Sequence, residues 1–215
     1  MDNQEYNDFV IRENINHVVY GEELRSDQSF DKECIEKDKE YKYKYRYELK
    51  RPYETGNKLL CFIMFNPSTS SSEKTDLTTD RCLTIAKHWH YDGIALYNLY
   101  AIRTRCKELV ERRIKTNDKQ AIAEMIGPKN NEVLDRVIKS NLYDAIVCAW
   151  GQHDHSEDYD TRVLYILKNI DINKLRVLGI TKDNQPKHPC GVSTKIKEDI
   201  SASLAIQYFN ENMKR

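Results

Sequence analysis

Residues 59–69 read LLCFIMFNPST, and the fold turns on how this stretch runs and where it stops. Residues 59–65 are apolar with no polar alternation, the pattern of a strand buried on both faces in a parallel sheet. Pro67 has no N–H and drives Asn66 out of the α region, so the strand ends there. The polar cluster Asn66-Pro67-Ser68-Thr69-Ser70-Ser71-Ser72 is thereby set at the carboxyl edge of a central strand. Open α/β sheets bind ligands at that edge.

Downstream, three further apolar runs predict buried strands: IALYNL (94–99), YDAIVCAW (143–150) and LRVLGI (175–180). Between them, helical spacing of apolar residues predicts helices over 80–89, 130–140 and 161–169, a short helix or turn over 108–114, and a closing helix over 196–209. Strand and helix alternating in this way indicate βαβ units on a mostly parallel sheet of about four core strands.

Upstream, YKYKYRYELKR (41–51) alternates Tyr with Lys or Arg, which predicts a strand with one tyrosine face and one basic face. Pro52 and residues 54–57 supply turn chemistry, so a β-hairpin leading into the central strand is the simplest reading. The ladder admits two uses. Tyrosines could stack on bases while lysines pair with phosphates. The simpler alternative is an edge strand whose tyrosines pack on the core and whose lysines deter edge-to-edge association. Residues 1–38 are polar, with weak apolar patterning, and predict a partly helical or irregular arm. Residues 39–215 form the expected single α/β domain.

The chain has 215 residues, enough for one substantial core. Its 34 basic and 34 acidic side chains cancel, so global charge gives no grip on a phosphate backbone. No window approaches a membrane span, and the acidic, polar N-terminus does not read as a signal peptide. The six cysteines include no Cys-x-x-Cys pair, and Cys61 and Cys148 sit inside apolar runs. They read as reduced thiols of a cytoplasmic protein. The pairs His88/His90 and His153/His155 lack an evident third ligand, so no metal is expected. No Walker loop, dinucleotide fingerprint or Gly-x-Ser-x-Gly elbow occurs, and no cofactor is expected.

What the strand ends carry is more specific. The first gives Asn66, Ser68 and Thr69, the second Asn98 and then Arg103, the third Trp150 and Gly151, and the fourth Lys182 and then His188. Parallel strands would bring these to one rim, where the mix of Asn, Arg, Trp, Lys and His exceeds what strand termination requires. Asp76 and Thr78 mark a helix start beside Ser68 and Thr69, which would suit an anion such as phosphate or serve as simple capping.

The ordered series RYELKRPY, FNPSTS, DLTTDRC, NLYAIRTR, GPKNN, AWG and TKDNQPKHP resembles the bacterial and phage family called domain of unknown function 1643. The resemblance covers about residues 45 to 190. It adds Arg81 and Asn130 to the rim residues and retains Asn66, Thr78, Arg103, Lys182 and His188. The family's Ala is Ser70 here, its Pro is Leu77, and an Asp of the Gly-Pro motif is Asn131. Asn66-Pro67 near the start and His188-Pro189-Cys190-Gly191-Val192-Ser193 near the end are also similar to the two active-site motifs of the uracil-DNA glycosylase superfamily, although Ser68 stands where its mismatch-specific branch has Gly. That similarity implies a three-layer α/β/α fold. It implies that Asn66 positions water and His188 stabilises the departing base, with Trp150 or a tyrosine stacking on that base. The expectation is a nucleotide- or nucleic-acid-directed base-excising hydrolase. A non-catalytic nucleotide or nucleic-acid module and a protein-interaction module are the alternatives.

Overall fold

The computed structural model describes residues 10–11, 17–23, 43–53, 57–68, 70, 75–116 and 118–214, and Thr69 lies outside them. The strands are β1 (Val10–Ile11), β2 (His17–Glu23), β3 (Tyr43–Pro52), β4 (Leu59–Met64), β5 (Gly93–Asn98), β6 (Ile146–Cys148) and β7 (Leu175–Val177). They form one sheet in the order β1-β2-β3-β5-β4-β6-β7. The apolar run of β4 takes the interior place its composition demands, with parallel neighbours on both sides: Met64 pairs with Asn98 and Ile63 with Cys148. With β7 parallel to β6, four core strands end along one edge.

The helices are α1 (Leu77–His88), α2 (Lys107–Ile114), α3 (Lys119–Ile126), α4 (Asn130–Lys139), α5 (Glu157–Asn169) and α6 (Glu198–Asn212). Successive residues of β4 bury on opposite faces. Leu60, Phe62 and Met64 pack with Cys82, Ile85 and Ala86 of α1. Cys61 and Ile63 pack with side chains of α2, α4 and α5. This is the three-layer α/β/α arrangement. Each large apolar side chain so enclosed contributes about 1.5–3 kcal/mol, which is why a strand without polar alternation needs a layer on each side. Along β7, α6 is pinned by Ser201 Oγ donating to the Val177 carbonyl at 2.7 Å.

Three features differ from expectation. An N-terminal antiparallel extension exists, but it pairs β2 with β3, and β3 then pairs with β5 rather than β4. The sequence neighbours β3 and β4 are thus separated by β5, because the apolar β4 takes parallel partners on both sides. Consequently β3 is an interior strand and not an edge. Second, Val10–Ile11 and His17–Glu23, in the expected partly helical arm, are strands. The Val18-Val19-Tyr20 run favours that state once β3 offers a template. The other residues of 1–38, and Lys42 of the ladder, lie outside the described residues.

Third, the β2–β3 register jumps: Val19 faces Glu48 and Tyr20 faces Arg46, so Tyr47 is the extra residue of a β-bulge. Tyr45 and Tyr47 pack on the core beside Cys61 and Tyr97, and Glu48 turns to the same side, where Tyr97 donates its hydroxyl to it. Leu49 beyond the bulge lies in the other core cluster. The tyrosines therefore pack inward as the simpler reading had it. Arg46 is turned to the α1 side of the sheet and is 2% exposed, so it is not a surface charge. Helix α3 was not foreseen. Its signals are local: Asp118 caps the Gln120 amide at 2.9 Å, and Gly127 stops the helix at φ 81.

Candidate functional site

At the carboxyl edge of β4 lies a cleft of about 140 Å³. Asn66, Ser68, Asp76, Thr78, Trp150 and His188 line it, all named from the sequence. Arg46, Met64, Phe65, Thr79, Leu96, Lys107 and His153 also line it and were not among the predicted site residues.

Each polar group is fixed by its own network. Asn66 donates its amide nitrogen to the Thr104 carbonyl at 2.9 Å and to the Pro67 carbonyl at 3.1 Å. Its amide oxygen is therefore the group left to offer a ligand. The turn beneath it is braced by Thr104 N–H donating to the Pro67 carbonyl at 3.1 Å. His188 caps the short 3-10 turn Pro189–Gly191, and its Nδ1 accepts from the Cys190 amide at 3.3 Å. That acceptor role puts the ring proton on Nε2. Burial, helped by the neighbouring His153, lowers the His188 pKa to about 4 against a pull upward from Asp76. At neutral pH it is an uncharged imidazole with one N–H to give.

Gly151 lets His188 come close. Its φ is +86, and a Cβ there would stand 3.2 Å from His188 Cβ. Gly151 N–H also donates to the Pro186 carbonyl at 3.0 Å, drawing the 186–188 segment onto the end of β6. His153 forms the floor, stacked on Phe65 with centroids 3.6 Å apart. Its Nδ1 meets Glu111 at 2.7 Å and its Nε2 the Trp150 carbonyl at 2.6 Å. Burial lowers its pKa despite those two contacts, which act upward.

Asp76 is the N-cap of α1, accepting from the Thr79 amide at 2.8 Å. Burial pushes its pKa up, but the Thr79 amide and hydroxyl, the Ser70 hydroxyl and the Arg46 charge together outweigh that and hold it below the ordinary carboxyl range. Ser70 Oγ and Thr79 Oγ1 are 2.6 Å apart, and Arg46 Nη1 donates to the Ser70 carbonyl at 2.9 Å. The expected seat for a phosphate is thus occupied by the helix's own carboxylate, which caps the helix and also lines the cleft.

Arg81, Asn98, Arg103, Asn130 and Lys182 do not line this cleft. Arg81 gives its guanidinium to the carbonyls of Pro189 (2.8 Å) and Val192, holding the His188 turn against α1. Thr78, at the rim, lies 3.5 Å from Cys190 Sγ. Asn130 is buried at the start of α4, donating to the carbonyls of Asn98 (3.1 Å) and Leu99 (2.8 Å). Asn98 and Arg103 are buried, and Lys182 is exposed on the turn after β7. Trp150 lines the cleft but is 1% exposed, its ring edge-on to Tyr208. It is a core side chain and not a stacking platform. Among the described residues, no group of three or more His, Cys, Asp or Glu is placed to hold a metal ion, and no helix is long and apolar enough to cross a membrane.

A mostly parallel α/β/α domain with a small polar cleft at its carboxyl edge is the class this fold and site define. Within that class, the chain belongs to the family described as Protein of unknown function (DUF1643), which matches residues 46–190. No curated protein and no solved structure matches.

Proposed function

We propose that this is a nucleotide- or nucleic-acid-directed protein whose cleft hydrolyses an N-glycosidic bond, in the manner of the uracil-DNA glycosylase superfamily. The observation that supports this most is the meeting of Asn66 and His188 in one cleft from opposite ends of the domain. Breaking a glycosidic bond builds positive charge on the sugar and negative charge on the base. The Asn66 amide oxygen suits the first, since it can hold a water without being a strong base. The His188 Nε2–H suits the second, donating to a base oxygen as charge arrives there. An uncharged imidazole can do this without giving up its proton.

The test is release of free base, followed by chromatography, from nucleosides and from single- and double-stranded oligonucleotides carrying normal and deaminated bases. Asn66→Ala and His188→Ala should each slow release by about 10²–10³-fold, the cost of removing one well-placed polar group from a transition state. A thermal-shift panel of the same compounds runs alongside. Stabilisation by a ligand without base release would favour the non-catalytic module. No stabilisation and no release would remove nucleotides from consideration and favour the interaction module.

A further inference from the structure

A water attacking the sugar must lose a proton, and the glycosidic reading above names no group to take it. Asn66 is an amide. His188 already spends Nδ1 on the Cys190 amide, and its Nε2 carries the proton. His153 has both ring nitrogens engaged, with Glu111 and the Trp150 carbonyl. Lys107 and Arg46 are cations. Of the groups lining the cleft, Asp76 alone is a carboxylate.

Its surroundings keep it negative. The Thr79 amide, two hydroxyls and the Arg46 guanidinium all favour the ionised form. The bulge at Tyr47 is what turns Arg46 to this side of the sheet. Without Asp76 the cleft would present only the positive charges of Arg46 and Lys107, the wrong sign for a cationic sugar.

We infer that Asp76 faces the positive charge that develops on the sugar and takes the proton of the attacking water; the assignment rests on the glycosidic reading. As the water oxygen bonds to the anomeric carbon, the carbon–nitrogen bond breaks and its electron pair leaves with the base. One water proton passes to the Asp76 carboxylate, and the base anion is protonated from solvent. The products are the sugar with a hydroxyl and the free base, and Asp76 returns its proton to solvent. A weak base suffices, because water adding to a cationic carbon becomes strongly acidic as the bond forms.

Asp76→Asn tests this cleanly, because Asn is as good an N-cap as Asp and keeps α1 while removing the charge. Should that variant not fold, Asp76→Ser, also a helix cap, replaces it. Single-turnover base release should fall about 100-fold or more, as for loss of one transition-state electrostatic partner. Binding gives a second readout that needs no turnover. Short oligonucleotides would carry either a protonated pyrrolidine in place of one sugar or the uncharged tetrahydrofuran equivalent. Wild type should prefer the cation, and Asp76→Asn should lose that preference. Release within threefold of wild type in Asp76→Asn, with Asn66→Ala inactive, would overturn the role of Asp76 and leave the glycosidic reading standing. Equal binding of cation and uncharged ring by wild type would also overturn the assignment alone. No base release by wild type from any substrate would overturn both.

Discussion

Replacing Gly151 by Ala should weaken the fold and displace the site together, and the two effects can be sized separately. Gly151 has φ +86, where an L side chain is strained by about 1–2 kcal/mol. The new Cβ would also lie 3.2 Å from His188 Cβ, closer than ordinary contact, so His188 or its turn must shift by a fraction of an ångström. Together these put the loss at about 2 kcal/mol, or a fall in Tm of about 4–8 °C for a chain of this size. On the glycosidic reading proposed above, where a misplacement of about 1 Å costs about 10²-fold in rate, a shift of about 0.3 Å should cost about fourfold in base release. Gly191 is the control. It sits in the 3-10 turn after His188, and a Cβ there meets nothing within 4 Å. Gly191→Ala should therefore stay within about 0.5 kcal/mol of wild type. Urea denaturation followed by circular dichroism measures both variants. If Gly151→Ala were as stable as Gly191→Ala, the close approach of Gly151 to His188 would be refuted.

Other outcomes follow from the same geometry. Folded His188 titrates at about 4 while an ordinary imidazole titrates at 6.5, so the unfolded chain binds a proton between those values that the folded one does not. Stability is then whole above pH 6.5 and is lost as pH falls towards 4, by about 2–3 kcal/mol. His188→Gln should remove that part of the slope in urea melts run from pH 7.5 to 4, and an unchanged slope would contradict the burial of a neutral ring. Asn130→Ala should cost about 1–2 kcal/mol, because the buried Asn98 carbonyl loses its side-chain donor while the Leu99 carbonyl keeps Arg162. Thermal melting would show it, while ligand-induced shifts at the cleft should persist. Arg46→Met should cost about 1–3 kcal/mol by orphaning the Ser70 carbonyl, whereas a loss below about 0.5 kcal/mol would mean that Arg46 behaves as a surface charge.

The amino-acid sequence determined those features that depend on neighbouring residues. An unbroken apolar run needs cover on both faces, so β4 could be read as a central strand, and Asn66-Pro67 had to end it. The caps at Asp76 and Asp118 and the stop at Gly127 are local too, although the helix between Asp118 and Gly127 is short enough to escape a periodicity reading. The meeting of Asn66 with His188 followed from parallel strands ending on one edge. What depends on pairing between distant segments was settled only by the tertiary structure. The insertion of β5 between β3 and β4 is a matter of which edges compete for partners, and no single strand's pattern contains it. The alternating ladder of 41–51 gives no sign of a bulge at Tyr47, because a bulge arises from register against β2; yet that one residue turns Arg46 into the cleft. Trp150 looked like a ligand group because it is an aromatic at a strand end, and Asn130 and Arg81 because the family resemblance carried them to the rim. Packing instead assigned the indole to the core, the amide to two carbonyls and the guanidinium to the His188 turn, since buried polar backbone must find partners before any ligand does.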